Sequence, residues 1–454
     1  MNLRRFAGLL PVAGAFAVGA VAERFWFGRA PPSIAVDLAQ PLVVVTSWGA
    51  YGGGAFAILA ATAACAAVYL AIVVRRLRPG TESGDVWAIA LVAAAALAAA
   101  FAWPFVFSSD TYAYAAYGAM ATAGLDPYAP LPAYLDDAFY DAARRQWGGS
   151  FPVCVYGPVF VAVASALVRG AGGHGLAATL WAFRIVAALA FLSSIPLLGA
   201  ALTAFSPAQR FAALCAYGLN PAILWTVAEG HNDALLLLLV TAAGAIAARH
   251  PRAGAFVLGL GPLLKAPGAA LVFGAVLAAF LRRRPDRVAI VAAGLAGLAL
   301  ATSVALPPLW PVLAALGADG RYSPQISLQG LIGPVPALAL AGTAAAYGVW
   351  ILARRDRGGL AWLGVALLVS LPNWYPWYAL WLVPWSIAAG NTRASRALWA
   401  ATISSLARYL PDAVGTLGPE AARFAAGAAV LPLVFATAGD RRAGPALKKA
   451  TAPP

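Results

Sequence analysis

Charged and sulfur-containing side chains are scarce in this chain of 454 residues. Only 11% of the residues are Asp, Glu, Lys or Arg, and there are 3 cysteines and 2 methionines. Cys65, Cys154 and Cys215 have neither the spacing of a metal site nor the density of a disulfide framework, so we expect small buried apolar residues. So low a share of charge is not typical of a soluble domain, which leaves a membrane protein as the expected class.

Long apolar runs dominate the rest of the chain. Hydrophobic residues make up 62% of it, the mean hydropathy is +0.78, and several runs are long enough to cross a hydrocarbon core of about 30 Å. The net charge of +14 would suggest nucleic acid in a soluble domain, but here the arginines cluster in short loops between apolar runs. The sequence therefore predicts an all-α polytopic protein among membrane lipids, with no nucleic-acid partner.

The basic loops predict the topology. The apolar segment after Arg4 and Arg5 is followed by no persuasive small-residue cleavage site, so we expect it to be retained as a first span. If the arginine clusters are cytoplasmic, Asp110 opens an extracytoplasmic loop that reaches about Tyr156. The count is about 13 transmembrane helices, several of them short or re-entrant. The order of crossings between Gly157 and Phe205 stays open.

We expect a single transmembrane domain over residues 1–454, with an extracytoplasmic catalytic loop at residues 108–156. Loops of this length in compact membrane proteins are usually functional. Besides the helix that follows Asp110, this loop should contain a second short helix with Asp141 and Arg144, lying on the membrane. The localisation expected is the cytoplasmic (inner) membrane, multi-pass, with the site facing outward.

The interval from Phe107 to Tyr128 is polar between very apolar segments. It starts with helix N-cap residue types and ends with a Gly and an Asp-Pro, which predicts a short amphipathic helix. Asp110, Tyr114 and Tyr117 follow one another at spacings of four and three residues, so one face presents a carboxylate and two phenols that suit a sugar. The alternative is that Asp110 only caps the helix and the tyrosines form a membrane-interface belt.

A second polar interval follows a predicted helix break at Asn220-Pro221. The residues from Glu229 to Asp233 are polar or glycine, and at the start of a span they are costly unless they face water or a ligand. Hydrogen bonding to sugar and phosphate fits His231 and Asp233 better than a metal does, because no partner cluster has ligand spacing. We therefore predict no metal.

Two later stretches predict hairpins of short helices. Lys265 lies midway between the basic clusters at Arg249 and at Arg282, so it should sit near the outer apex of one hairpin. It either serves a ligand or is a snorkelling or helix-end lysine. The second hairpin lies between Arg357 and Arg393, and its aromatic apex either lines a groove or forms an interface belt.

The motifs occur in one order: Asp110-Thr111-Tyr112, Gly124-Leu125-Asp126-Pro127-Tyr128, Tyr156-Gly157-Pro158, Asn220-Pro221, His231-Asn232-Asp233, Lys265-Ala266-Pro267 and Trp377-Tyr378-Ala379-Leu380-Trp381. This ordered set resembles the polyprenol-phosphate-mannose-dependent α-1,6-mannosyltransferases of actinobacterial cell envelopes, over roughly residues 85 to 390. The stretch from Asp319 to Leu331 departs from the resemblance, which leaves the acceptor side open.

The resemblance implies the GT-C fold of integral-membrane glycosyltransferases. It further implies inverting transfer of a mannosyl residue from polyprenyl-phosphate mannose to a growing α-mannan or lipoglycan, outside the cytoplasmic membrane. The family's catalytic base is an acidic residue in the first long outer loop, and Asp110 is its match here. The expected partners are the lipid-linked donor, which is a substrate, and a glycan or glycolipid acceptor; no cofactor is expected.

Transfer from a lipid phosphate needs a base, groups that balance the leaving phosphate, and an apolar groove. Asp110 is the expected base, and Lys265 and Arg321 are expected at the donor phosphate. The predicted substrate-binding residues are Tyr112, Tyr114, Asp126, Tyr128, Tyr156, His231, Asn232, Asp233, Trp374 and Tyr378.

Other functions remain open at this stage. A transporter or flippase of lipid-linked sugars would also have broken helices and buried polar groups, although it predicts repeated halves that the sequence does not have. A GT-C enzyme that uses a glucose or arabinose donor would need a similar groove. A binding or scaffold protein without turnover fits less well, because it gives no reason for three polar clusters inside the membrane.

Overall fold

The computed structural model describes residues 7–27, 53–76, 86–103, 108, 110–129, 135–146, 152–281, 286–318, 326–409 and 419–438. Every regular element in these ranges is a helix, and the one extended pairing there is an isolated antiparallel bridge between Tyr156 and Lys265. The predicted all-α class is confirmed. Arg321, which was expected at the donor phosphate, lies outside the described residues.

The first half of the chain forms helices α1 (Leu10–Phe27), α2 (Gly53–Arg76), α3 (Val86–Ala100), α4 (Asp110–Thr122), α5 (Ala138–Gln146), α6 (Pro158–Ala171), α7 (Gly175–Ala201), α8 (Pro207–Gly218) and α9 (Pro221–Ala228). The second half forms α10 (Asp233–Ala247), α11 (Pro251–Gly259), α12 (Pro267–Leu281), α13 (Arg287–Ala318), α14 (Leu328–Ile332), α15 (Pro334–Ala353), α16 (Gly358–Ser370), α17 (Ala379–Ala389), α18 (Arg393–Ser404) and α19 (Pro419–Ala438). Short 3₁₀ turns lie at Gly172–His174, Gly261–Leu263, Pro376–Tyr378 and Ser405–Tyr409.

Apolar helices of two lengths mark this chain as a membrane protein. Among the described residues, three segments are long and apolar enough to cross a bilayer, Pro158–Ala201, Arg287–Trp310 and Pro334–Ala353, and α8 with α9 makes a fourth if the bent pair is one span. Several other apolar helices, among them Val86–Ala100 and Pro267–Leu281, are shorter than a full span. The total of about 13 spans remains a prediction.

The predicted helix break at Asn220 is confirmed. The Asn220 side chain accepts hydrogen bonds from the backbone N–H groups of Ala222 and Ile223, and Pro221 takes the first position of α9. The axes of α8 and α9 differ by 47°. Asn220 also donates to Thr402 Oγ1 at 2.8 Å, which ties the break to α18.

Both predicted hairpins of short helices are present. Helices α11 and α12 pack together and meet at the turn that carries Lys265. Helices α16 and α17 likewise pack together and are joined by residues 371–378, which form the aromatic apex. In each hairpin a proline starts the turn or the second helix, because proline cannot continue a helix from the preceding turn.

Helix α4 differs from its prediction in one respect. Thr111 to Met120 are all buried, and the helix packs on α5, α6 and α7, so the expected amphipathic face is wrong. Small alanines between the tyrosines let the neighbouring helices approach on every side. The predicted stop is confirmed: Gly124 has φ +76° and Leu125 N–H donates to the Met120 carbonyl at 2.9 Å, which is a Schellman end.

Helix α5 has the amphipathic pattern expected for the second helix of the loop. Tyr140 and Ala143 are buried, whereas Asp141 and Arg144 keep partial exposure. The cysteine prediction is also confirmed, since all 3 are buried as free thiols. Burial raises the pKa of the Cys154 thiol to about 12, so it is protonated and unreactive at neutral pH.

Candidate functional site

The sequence motifs converge on one group of buried polar side chains, which we call the polar cluster: Asp110, Tyr114, Tyr156, His231, Asn232, Asp233 and Lys265. It joins the start of α4, the segment before α6, the turn between α9 and α10, and the apex of the α11–α12 hairpin.

Asp110 is held by one oxygen and leaves the other free. Its Oδ2 accepts long hydrogen bonds from Tyr114 OH at 3.4 Å and Tyr156 OH at 3.5 Å. Among the described side chains no hydrogen bond is made to Oδ1, and the Asp110 side chain is 13% exposed. Ser108 Oγ accepts from the Asp110 N–H, so the helix start is capped by Ser108. Asp110 therefore presents one carboxylate oxygen to which no described side chain donates a hydrogen bond.

The tyrosines around Asp110 lie inside the protein. Tyr114 is fully buried, and its hydroxyl lies 3.4 Å from Asp110 Oδ2 and 3.3 Å from Asn232 Oδ1, so its single proton serves one of them at a time. Its ring meets Tyr156 and Phe160 edge-on, at centroid distances of 5.1 and 4.9 Å. Tyr117 is also buried and donates to the Pro152 carbonyl. The alternative of a lipid-facing belt is excluded for these residues.

His231 lies between two carboxylates. Its Nδ1 is 3.6 Å from Asp233 Oδ2 and 3.9 Å from Asp110 Oδ2, both too long for a hydrogen bond. Neither ring nitrogen has a hydrogen-bond partner in the described part of the chain, although the side chain is completely buried. The ring stacks on Trp377 with a centroid distance of 4.7 Å. His231 is thus held by packing, and neither of its nitrogens is engaged by a described residue.

Hydrogen bonds from Arg184 and Thr111 hold the turn that carries His231, and neither residue was predicted as a site residue from the sequence. Arg184 Nε donates to the Ala228 carbonyl and Nη2 donates to the Phe101 carbonyl, while Thr111 Oγ1 makes a short hydrogen bond to the Glu229 carbonyl. A buried guanidinium at the end of α9 also suits the negative end of the helix dipole. The sequence does contain a signal for Arg184, because a charged residue within a long apolar segment indicates a buried polar role.

Lys265 and Asp233 form a buried ion pair. Lys265 Nζ lies 2.8 Å from both carboxylate oxygens of Asp233 and donates to Asn232 Oδ1 at 3.2 Å. Trp381 Nε1 also donates to Asp233. The sequence analysis gave Lys265 to the donor phosphate and Asp233 to sugar hydroxyls, but here they neutralise each other. A snorkelling lysine is excluded, since Lys265 is 7% exposed and paired.

Glycine explains how Tyr156 reaches Lys265. Gly157 N–H donates to the Leu264 carbonyl at 3.0 Å, next to the bridge between Tyr156 and Lys265. A Cβ atom at Gly157 would collide with the Leu263 carbonyl oxygen. Only glycine permits this approach of the two backbones, so the Tyr-Gly-Pro motif serves to place Tyr156 in the polar cluster.

Five other predicted substrate-binding residues are described outside the polar cluster: Tyr112, Asp126, Tyr128, Trp374 and, in the aromatic apex, Tyr378. Asp126 Oδ1 accepts from Tyr128 N–H in a tight turn, and Tyr128 OH donates to the Tyr156 carbonyl, so both support the loop. Trp374 is 2% exposed and donates to the Leu368 carbonyl, which turns it into the core instead of toward the cluster. Tyr112 is also buried.

Two tryptophans of the α16–α17 hairpin border the polar cluster: Trp377 in the aromatic apex and Trp381 in α17. Trp377 stacks on His231, and Trp381 reaches Asp233. Tyr378, a predicted binding residue, stacks on Trp381 at a centroid distance of 3.9 Å. Trp377 and Trp381 were quoted as motif residues but not as site residues, since a motif alone does not show which ring faces inward.

The structure also has an apolar cavity away from the polar cluster, and its described residues contain no group arranged to hold a metal. An apolar cavity of about 370 Å³ lies between α10, α11, α12 and α17, and is lined by residues such as Val240, Gly254 and Leu271. On α10 its lining begins at Val240, seven residues beyond Asp233, and it contains no residue of the polar cluster. In the described ranges, no group of three or more His, Cys, Asp and Glu side chains is arranged to hold a metal.

Comparison with known proteins identifies the family of this chain. A family model described as "Alpha-(1->6)-mannopyranosyltransferase, N-terminal domain" matches residues 6–282. Alpha-(1->6)-mannopyranosyltransferase A of Mycobacterium tuberculosis is 29% identical over 347 residues, which cover 67% of this chain and 65% of that protein. No solved structure matches the chain. The family match spans more than half of the chain and includes all seven residues of the polar cluster, so the chain belongs to the alpha-(1->6)-mannopyranosyltransferase family.

Proposed function

We propose that this protein transfers a mannosyl residue, in α-1,6 linkage, from polyprenyl-phosphate mannose to an α-mannan or lipoglycan acceptor. We place the reaction on the outer side of the cytoplasmic membrane, with inversion at the anomeric carbon. Family membership supports the sugar and the linkage. The observation that carries the chemistry is a partly exposed carboxylate, Asp110, at the edge of a buried polar cluster.

Asp110 Oδ1 is the proton acceptor in this proposal. As the acceptor hydroxyl oxygen attacks the anomeric carbon, its proton passes to Oδ1, and the bond from that carbon to the donor phosphate oxygen breaks with its electron pair on the oxygen. Tyr114 and Tyr156 hold Oδ2, which fixes the carboxylate plane while Oδ1 faces the acceptor. Such positioning is a large part of the barrier reduction in two-substrate reactions.

A single displacement is favoured over a covalent intermediate. A double displacement would need a second carboxylate free to attack the anomeric carbon. Asp233 is the other carboxylate of the polar cluster, and it is bound by Lys265 and Trp381. With its charge neutralised and both oxygens engaged, Asp233 is a poor nucleophile, which leaves Asp110 to act as a base.

His231 and Asn232 are the proposed contacts to sugar hydroxyls. Neither nitrogen of His231 nor the Nδ2 of Asn232 has a hydrogen-bond partner within the described ranges, and all three atoms are buried. An unpaired buried polar group costs about 1–3 kcal/mol, so a ligand that supplies the missing partners is favoured. A hexose has hydroxyl groups that both donate and accept, and it meets both needs.

Replacing Asp110 by Asn tests the proposal. The amide keeps the shape but cannot take the proton, so we expect transfer to fall by at least about 100-fold. The measurement is the incorporation of label from radiolabelled polyprenyl-phosphate mannose into a short α-mannoside, in membranes that contain the full chain.

Asp141→Asn is the matched control, because it makes the same change on α5, in the same loop but outside the polar cluster. It should transfer at the rate of the unmodified protein. Retained transfer in Asp110→Asn would remove Asp110 as the base. Label that crosses the bilayer without a new glycoside would indicate a transporter. Transfer only from a glucose or arabinose donor would show that the donor sugar is not mannose.

A further inference from the structure

A cation that the sequence analysis did not single out lies beside the aromatic apex. Arg408 is in the 3₁₀ turn Ser405–Tyr409, which follows α18. Its guanidinium carbon lies 3.9 Å from the centre of the Tyr375 ring. Its Nη1 is buried and makes no hydrogen bond to any described residue. A buried guanidinium N–H without an acceptor is costly, so Arg408 is in place for a ligand with acceptor oxygens.

Stacked rings connect Arg408 to the polar cluster. Tyr375 stacks on Trp377 with a centroid distance of 4.3 Å and an interplanar angle of 16°. Trp377 stacks in turn on His231 at 4.7 Å and 28°. We call Arg408, Tyr375, Trp377 and His231 the aromatic ladder. At its far end His231 Nδ1 lies 3.9 Å from Asp110, so the aromatic ladder leads from a guanidinium whose buried Nη1 has no described acceptor to the proposed base.

Two other described cations near the polar cluster already have partners. Lys265 pairs with both oxygens of Asp233. Arg184 donates to the carbonyls of Ala228 and Phe101. Arg408 differs from both because one buried nitrogen has no acceptor in the described part of the protein. An arginine is also suited to a phosphate, whose oxygens match the planar fork of the guanidinium.

We propose that Arg408 binds the phosphate of the polyprenyl-phosphate donor, and that the donor sugar lies along the aromatic ladder between Arg408 and Asp110. This inference rests on the proposed function. When the bond between the anomeric carbon and the phosphate oxygen breaks, its electron pair stays on the phosphate, and Arg408 stabilises the charge that develops there. Arg408, and not Lys265, is then the cation that faces the leaving group.

The test compares Arg408→Gln, Arg408→Lys and the unmodified protein in steady-state transfer. Arg408→Gln should raise the donor KM about tenfold or more and lower kcat, while the acceptor KM stays within about twofold. Arg408→Lys should recover part of the loss because it keeps the charge but not the fork. A purely structural role would not separate the donor KM from the acceptor KM. An unchanged donor KM in Arg408→Gln would overturn the inference.

Arg354→Gln is the matched control. Arg354 also lies over a tryptophan, 3.8 Å from the centre of Trp350, but it is exposed and outside the aromatic ladder. Both kinetic constants for the donor should stay unchanged in this variant. A donor KM raised as much in Arg354→Gln as in Arg408→Gln would overturn the inference, since any lost arginine would then have the same effect.

Direct binding of polyprenyl phosphate separates this inference from the proposed function. The unmodified protein should bind it, and Arg408→Gln should bind it about tenfold more weakly. Absence of mannosyl transfer would overturn the proposed function alone, and equal binding by both proteins would overturn the Arg408 inference alone. If Arg408→Gln does not fold, as judged by size-exclusion chromatography in detergent, Arg408→Lys decides in its place, and binding equal to that of the unmodified protein overturns the inference.

Discussion

At the scale of single residues, the polar cluster is a set of charges whose neighbours decide what each can do. Asp110 and Asp233 are the same residue type within one cluster, but Asp233 is neutralised by Lys265, whereas Asp110 accepts only two long hydrogen bonds from described side chains, both at Oδ2, and lies 3.9 Å from His231. In the proposed function Asp110 is the carboxylate that accepts the proton. The paired one stabilises the turn between α9 and α10.

The buried ion pair between Lys265 and Asp233 should affect the free energy of unfolding. Lys265→Met leaves the Asp233 carboxylate buried without its cation, which should cost about 3–5 kcal/mol of the free energy of unfolding. Adding Asp233→Leu should restore much of that loss, because no charge then remains buried. The measurement is an SDS unfolding titration of the purified protein in detergent micelles.

The double variant also reports on function. Since Lys265 is already neutralised by Asp233, the Lys265→Met, Asp233→Leu protein should keep a donor KM close to that of the unmodified protein if it folds. A donor KM raised at least tenfold in a well-folded double variant would return Lys265 to the phosphate role that the sequence suggested.

At the scale of elements, short helices and their breaks place polar groups inside the membrane protein. Asn220 ends one helix and starts the next, and the α9 turn that follows carries His231. The Asn-Pro signal was read correctly because capping is local: the acceptor oxygen and the N–H groups that it satisfies lie within three residues. Helix α4 was misread in its exposure, because a helix pattern does not reveal how many neighbours surround it.

Asn220→Ala tests how much the helix break between α8 and α9 contributes to stability. It removes the cap of α9 and the hydrogen bond to Thr402, so we expect a loss of about 2 kcal/mol in the free energy of unfolding. Ser206→Ala is the control, since Ser206 caps α8 at an exposed end and has only the cap to lose. Equal losses in the two variants, measured by the same SDS titration, would show that the contact to α18 adds nothing.

At the scale of the whole molecule, the site depends on backbones that meet across long stretches of sequence. Tyr156 reaches Lys265 only because the segment before α6 lies against the α11–α12 hairpin at Gly157. The resemblance to a mannosyltransferase family, read from the order of motifs, is confirmed by the family match. Four of the seven motifs supply residues of the polar cluster, and the other three support the loop, break the helix or pack aromatic rings beside the cluster.

Gly157→Ala tests this long-range contact. The added methyl group collides with the Leu263 carbonyl and must push Tyr156 away from Lys265, so we expect transfer to fall at least tenfold. Gly170→Ala lies near the end of α6, the helix that follows Gly157. It has open space around the new methyl group and should leave transfer unchanged. The radiolabel assay measures both variants, and full activity in Gly157→Ala would contradict the positioning role of this contact.

The sequence alone determined the class, the helix breaks, the two hairpins and the motif that carries Asp110, because hydropathy, capping and proline act between near neighbours in the chain. The tertiary structure decided which charges meet. Lys265 and Asp233 are 32 residues apart, and Arg184 and Ala228 are 44 apart. An electrostatic or hydrogen-bond partner is chosen by distance in space, so only the packed helices could assign Lys265 to Asp233 and join His231 to the aromatic rings.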